Sequence, residues 1–198
     1  MELRELLAAR RMIRSFDGTP VDEVVLDELC AQALWAPTAG NSAGVRVYTL
    51  GASSVVGYFQ HATDELWRER SRRSDGLRRA GAVVLVTDRA QDYVARYGED
   101  DKAKSGLSDR TAWPVPYWHT DAAMATMALL LLIEEHGWQA TIWGNFRNDE
   151  AVLRWAGIVD EELFCSILIG HGDENNVASK SLERDVPTRR ERVRRLNP

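Results

Sequence analysis

From Thr120 to His136 the chain is apolar nearly all the way round a helix. A helix with no polar face cannot lie on a surface, so the fold has to be built around it. Thr120 is placed to cap it, with the helix running from Asp121 to His136, and Gly137 is a natural stop. Its longest uninterrupted apolar run, Met127 to Ile133, is far short of the ~20 residues that a membrane span requires. The segment is therefore expected at the centre of a globular core.

Around it, four stretches read as strands. Val45 to Leu50 alternates and is β-branched, and Gly81 to Val86 is apolar on both faces, as in a central strand. Ala140 to Trp143 is short, and Leu163 to Ile169 gives a last core strand. Helices are expected at Leu3, Leu6 and Leu7, ending near Arg10, and from Pro20 to Trp35, with Pro37 and Gly40 as stops. A third should run from Ser53 to Arg70, with Val56, Phe59 and Leu66 on one side. A small helix capped by Asn148 should end near Gly157. Residues 88–117 show no period and read as one long loop, functional or mobile. This order is not a regular βαβ alternation, and no G-x-G-x-x-G follows the first strand, so a Rossmann fold is set aside. An α+β sandwich fits better.

At 198 residues the length suits one domain, and 44% hydrophobic with 28% charged residues is ordinary for a globular protein. The start, Met1 to Glu5, is charged and helical in pattern, unlike a signal peptide, so a cytoplasmic location is expected. Cys30 and Cys165 sit in apolar contexts and read as buried thiols. No Cys/His or Asp/His spacing suggests a metal. The net charge of −5 argues against a general nucleic-acid binder. Residues 179–198 hold seven cations against three carboxylates, a balance of +4 that leaves −9 on the rest. A domain over 1–178 with a basic tail over 179–198 follows, the tail packing on its own ligand site or on a partner subunit.

Two short segments carry the chemistry. Arg10-Arg11-Met12-Ile13-Arg14-Ser15-Phe16 concentrates three guanidinium groups, planar donors that match phosphate oxygens. Ala36-Pro37-Thr38-Ala39-Gly40-Asn41 is a turn that offers backbone N–H groups and a side-chain amide. Their order, R-R-x-x-R-S-F and then A-P-T-A-G-N, resembles the N-terminal signature of the nitroreductase superfamily of FMN-dependent flavoproteins. Gln139 to Phe146 after the apolar helix, and Leu163 to Gly170 before the arginine-rich tail, resemble the same family in the same order.

The resemblance implies an α/β sandwich with a central, mainly antiparallel sheet flanked by helices, in an intertwined homodimer with two flavins at the interface. It implies that Arg10 and Arg14 hold the FMN phosphate and the polar edge of the ring, with Arg11 between them. Pro37, Thr38 and Asn41 approach the flavin from the neighbouring subunit, and Trp143 and Gly144 provide the backbone near flavin N5. A basic residue of the tail closes on the phosphate; Arg184 leads, with Arg189 and Arg190 as alternatives. Two positions depart from the family pattern: Met12 stands where Ser is common, and Ala43 where Gln is common. Trp113, Tyr117, Trp118 and His119 are the candidate wall over the open flavin face, or else a cap on the long helix beneath. His119 is either a proton donor to substrate or a hydrogen-bonded structural residue.

The flavin carries the redox chemistry, so no nucleophile or metal is needed. The implied activity is ping-pong transfer of hydride from NAD(P)H, through flavin N5, to a nitroaromatic, quinone or enone. A superfamily dehydrogenase or dehalogenase, and a flavin-binding or storage relative without turnover, are the competing readings.

Overall fold

The computed structural model describes residues 2–144 and 147–196. In chain order the elements are α1 (Leu3–Ala9), α2 (Glu23–Ala33), β1 (Val45–Gly51), α3 (Val55–Ala62), α4 (Glu65–Arg70), α5 (Ser74–Leu77), β2 (Ala82–Asp88), α6 (Ala90–Tyr97), α7 (Tyr117–His136), β3 (Gln139–Trp143), α8 (Asp149–Ala156) and β4 (Glu162–Gly170). The strands form one sheet in the order β1-β2-β4-β3, and every neighbouring pair is antiparallel. This is the expected α+β sandwich with an antiparallel sheet.

Strand β2 is buried at all seven positions, so it has to be apolar on both faces. Its side chains divide by parity. Val84 and Val86, with Ile167 and Ile169 of β4, meet Leu26, Leu29, Ala125, Leu129 and Ile133 of α2 and α7. Val83 and Leu85, with Leu168, meet Val55, Tyr58 and Phe59 of α3, Leu77 of α5 and Val152 of α8. Two apolar layers therefore sandwich the sheet.

Several element bounds differ from the sequence expectation. Helix α2 starts at Glu23, not at Pro20, because Asp22 accepts hydrogen bonds from the backbone N–H groups of Val24 (2.9 Å) and Val25 (3.2 Å). The single helix expected over 53–70 is broken at Thr63. Asp64 there starts α4 afresh by accepting from Trp67 N, and Val56 and Leu66 are exposed. Residues 88–117 contain α6 and two short 3₁₀ turns, and do not form one loop.

The largest correction concerns α7. It begins at Tyr117, immediately after Pro116, so Thr120 lies within its first turn and does not cap it. Only one face is buried in the single chain: Trp118, Asp121, Ala122, Ala125, Thr126, Leu129, Leu130 and Ile133. Away from that face Met124 and Met127 are about 40% and 37% exposed, and Leu131 and Leu132 line a groove with Leu3, Leu6 and Trp35. Of the three leucines on α1, only Leu6 is buried. No described helix is long and apolar enough to cross a membrane.

Both thiols are free and buried. Burial pushes Cys30 up to about 12 and Cys165 up to about 11, from an ordinary value of 9. Unfolded thiols ionise first, so these two groups weaken the fold as pH rises past their ordinary value. Ellman's reagent at pH 8 is expected to label neither cysteine in the native protein, and both once it is unfolded in denaturant.

Candidate functional site

The arginine segment is an extended stretch stitched into three neighbours. Ile13 N donates to Ala140 O (3.0 Å), Phe16 N to Gly76 O (3.1 Å) and Asp17 N to His171 O (2.9 Å). Arg14 N donates to Asn176 Oδ1 (2.8 Å), and Met12 forms an isolated parallel bridge with Ala140. Residues 10–17 are thus fixed between β3, α5 and the loop after β4. Met12 packs on the α2/α7 core, which accounts for its apolar side chain.

Arg10 is the most telling residue. Its Nε and Nη1 are buried and have no hydrogen-bond partner among the described residues. A guanidinium in that state is costly unless an anion reaches it. Arg14 lines a cavity of about 590 Å³ together with Ser15, Arg72, Arg73, Gly76, Arg79 and Lys180. Asp75 is the one carboxylate on that wall. Burial, and then the neighbouring Arg73, lower the pKa of Arg14, the signature of cations crowded together without enough counter-charge. This chemistry fits a phosphate-bearing ligand such as FMN. Arg72, Arg73 and Lys180 were not singled out in the sequence; their only signal was membership of a basic stretch.

Arg11 has a different task. Its Nη1 donates to the carbonyls of Ala8 (2.6 Å), Ala9 (3.1 Å) and Arg10 (3.0 Å), closing the C-terminal end of α1. In the single chain Arg184 and Arg189 are exposed, and the tail residues on the cavity wall are Ser179 and Lys180.

Gly76 keeps this wall close. A Cβ there would lie 2.6 Å from Ser15 Oγ and 2.9 Å from Arg14 O. Gly76→Val is expected to destabilise the protein by about 1–3 kcal/mol, as overpacking does, read as a lower Tm.

Trp143 and Gly144 line a separate, smaller cavity of about 200 Å³ with Trp67, Arg147 and Asn148. Trp143 packs edge-on to Trp67, with ring centroids 5.0 Å apart, and its buried Nε1 has no partner among the described residues. Asn145 and Phe146, the end of that motif, lie outside the described residues.

The Pro37–Asn41 turn is elsewhere. Ala39 N donates to Asp121 Oδ2 (2.7 Å), which also accepts from Tyr93 OH (2.9 Å), and Arg96 Nε donates to Gly40 O (2.8 Å). Asp121 is 1% exposed in the second turn of α7, and its carboxylate is held by the hydrogen bonds from Ala39 and Tyr93. Gly40, Asn41 and Ala43 all have positive φ (62°, 56° and 51°), so the turn holds a strained backbone in place. Asp121 was missed as a positioning residue because its partners lie 28 and 82 residues away.

The turn therefore sits at the N-terminal end of α7. The arginine segment sits beyond its C-terminal end, where Gly137 and Trp138 lead into β3. From Asp121, where the turn is anchored, to His136 the helix rises about 23 Å, which keeps the two segments apart.

The aromatic segment is mostly structural in the single chain. Trp113 and Trp118 are buried with Tyr93 against Tyr97 and Leu107, and Trp113 Nε1 donates to Leu107 O (2.8 Å). Tyr117 is more exposed. His119 Nδ1 is 2.9 Å from Asp88 Oδ2 and its Nε2 is 3.6 Å from Glu162 Oε2. Burial raises the Asp88 carboxyl above its ordinary value, and the hydrogen bond from His119 opposes that rise. Sequence spacing had offered no metal-like grouping, yet the fold brings these three side chains together.

Known proteins share this fold. No curated protein matches the sequence. Among solved structures, a nitroreductase family protein from Streptococcus pneumoniae is similar at 17% identity and a TM-score of 0.72, over 98% of this chain and 100% of that one. A Desulfovibrio desulfuricans protein crystallised in complex with FMN is similar at 17% identity and 0.68, over 100% and 99%. The enone reductase CLA-ER, of gut-bacterial fatty-acid saturation metabolism, is similar at 18% identity and 0.67, over 94% and 98%. At such identities the likeness is one of fold. The nitroreductase family model itself matches residues 7–171, and the chain belongs to that family.

Proposed function

We propose that this protein is a homodimeric FMN-dependent oxidoreductase that draws on NAD(P)H and reduces an electron-poor acceptor such as a nitroaromatic, quinone or enone. The observation that carries the reading is the separation of the two binding segments by the length of α7, together with the exposed apolar face of that helix. Two copies packed antiparallel through Met124, Met127, Leu131 and Leu132 would bring the turn of each to the arginines of the other. The same packing would cover an apolar surface that is unusual on a monomer.

When bound, FMN supplies two-electron chemistry, accepting hydride from the nicotinamide and passing it to the acceptor. This chain's residues bind and orient. Arg10 and Arg14 hold the phosphate and ring edge, and Arg72, Arg73 and Lys180 add positive potential around them. From the partner, Pro37, Thr38 and Asn41 offer polar groups to the ring. Trp143 and Gly144 present backbone near its reactive edge, where the absence of a Cβ at Gly144 allows close approach. The tail after Lys180, including Arg184 and Arg189, docks over the phosphate or on the partner. The FMN complex of one structural relative and the enone reductase activity named for another support the cofactor and the acceptor class.

The test is steady-state and anaerobic. Protein loaded with FMN and desalted should stay yellow and bleach with NADPH or NADH. It should then turn over menadione or a nitroaromatic with parallel double-reciprocal lines. Retained flavin that neither nicotinamide bleaches would favour a carrier instead.

A further inference from the structure

Asp88 ends β2 and Glu162 opens β4, and the two are direct cross-strand partners in the sheet register. Like charges placed directly opposite each other repel, so this sheet end carries an electrostatic cost that something must offset. Asp88 is fully buried, and its Oδ1 has no hydrogen-bond partner among the described residues. His119, in the first turn of α7, reaches in between the two carboxylates. One donor atom from each of Asp88, His119 and Glu162 lies within 4.8 Å of the other two.

We propose that Asp88, His119 and Glu162 form a site for a divalent transition-metal ion, Zn²⁺ by its donor set.

One imidazole nitrogen and two carboxylates suit a borderline ion such as Zn²⁺, whereas Mg²⁺ and Ca²⁺ prefer oxygen alone. Asp88 and Glu162 bring two carboxylates and Arg110 offsets one of them, so the cluster still favours a cation. The neighbouring groups leave these donors free. Glu161 is already committed to Tyr48 OH (2.8 Å), Thr87 Oγ1 and Arg46 Nε (3.4 Å). Arg110 takes Glu162 Oε1, which leaves Oε2 turned to His119. A cavity of about 470 Å³, lined in part by Asp88, Arg110, Glu161 and Glu162, gives an entry path and room for a water as fourth ligand. Two ligands of one zinc lie about 3.3 Å apart and only one ring nitrogen binds it, so His119 has to give up one of its two carboxylate contacts and the donors have to close from as much as 4.8 Å. The half-exposed side chains of His119 and Glu162 have that freedom, and Asp88 is the fixed point. The ion would clip the N-terminal end of α7 to the ends of β2 and β4.

The experiment uses the purified, flavin-loaded protein after treatment with EDTA and dialysis. Calorimetric titration with Zn²⁺ should give one ion per chain, and Zn²⁺ should raise Tm. Co²⁺ should add the visible bands of a four-coordinate ion to the difference spectrum. Glu162→Gln and His119→Gln should each weaken Zn²⁺ binding at least about tenfold, and Glu161→Gln should leave it within about twofold. Because Glu162 is partly exposed, its variant keeps the test valid even if the His119 variant folds poorly. Absence of stoichiometric Zn²⁺ binding, or binding that survives both substitutions, would overturn the proposal.

Discussion

Arg10→Met is expected to abolish retention of FMN through desalting while leaving the flavin-free protein at least as stable as before. In the single chain the Arg10 guanidinium buries Nε and Nη1 without a partner among the described residues, so the substitution removes no hydrogen bond of these two atoms to them. Methionine keeps most of the aliphatic stem and relieves the desolvation cost of the charge. A charge-assisted hydrogen bond to phosphate is worth about 1.5–3 kcal/mol. Its loss therefore weakens FMN binding roughly ten- to 150-fold, and Arg14→Met should act in the same direction. Thermal unfolding with and without FMN separates the two effects: the flavin-free Tm holds or rises, and the FMN-induced rise disappears. A flavin-free Tm that falls by many degrees would instead mark Arg10 as a structural residue.

Met127→Asp is expected to convert the proposed dimer to monomer and to remove flavin with it. Met127 lies on the α7 face left uncovered in the single chain, among Met124, Leu131 and Leu132. A carboxylate buried there without a partner costs about 3–5 kcal/mol, and two-fold symmetry imposes it twice. That moves the dimer dissociation constant by roughly a thousandfold or more. In the monomer the same aspartate faces water, so the fold itself should hold. Sedimentation velocity reads the association, and absorbance after desalting reads the flavin. A monomeric variant that still holds FMN with full affinity would mean that each site is complete within one chain.

How far the fold was legible depended on how each segment is buried. β2 and β4 are apolar because both faces are covered, and runs such as Val83 to Val86 announce that directly. α6 was invisible because it is only eight residues long and fully buries only Ala90 and Tyr93. The helix over 53–70 was read as continuous because Val56, Phe59 and Leu66 share a helical face. The cap at Asp64 ends that continuity, and two of the three turn out to be exposed. α7 was read as buried all round because its sequence is apolar on every side, and apolarity alone does not say which face meets the core.

The site divides similarly. Arg10, Arg14 and the Pro37–Asn41 turn were found through short ordered motifs. Asp121, which holds the turn, and Asp88 with His119 and Glu162 have partners far away in sequence. Their roles exist only once the sheet and α7 are assembled. Arg11 looked like part of the cofactor group from its neighbours, yet its side chain turns back to the α1 carbonyls.

The central claim is that arginines of one subunit and the turn of its partner make a single flavin site. Mixed dimers test it most directly, formed by co-refolding Arg10→Met chains with Asn41→Glu chains, neither of which should hold FMN alone. A site shared between subunits leaves one intact pair in each mixed dimer, so the account predicts one retained FMN per dimer and restored bleaching by NADPH. If the turn and the arginines served the same subunit, every chain would carry a lesion. A mixed dimer that retains no flavin would contradict the account.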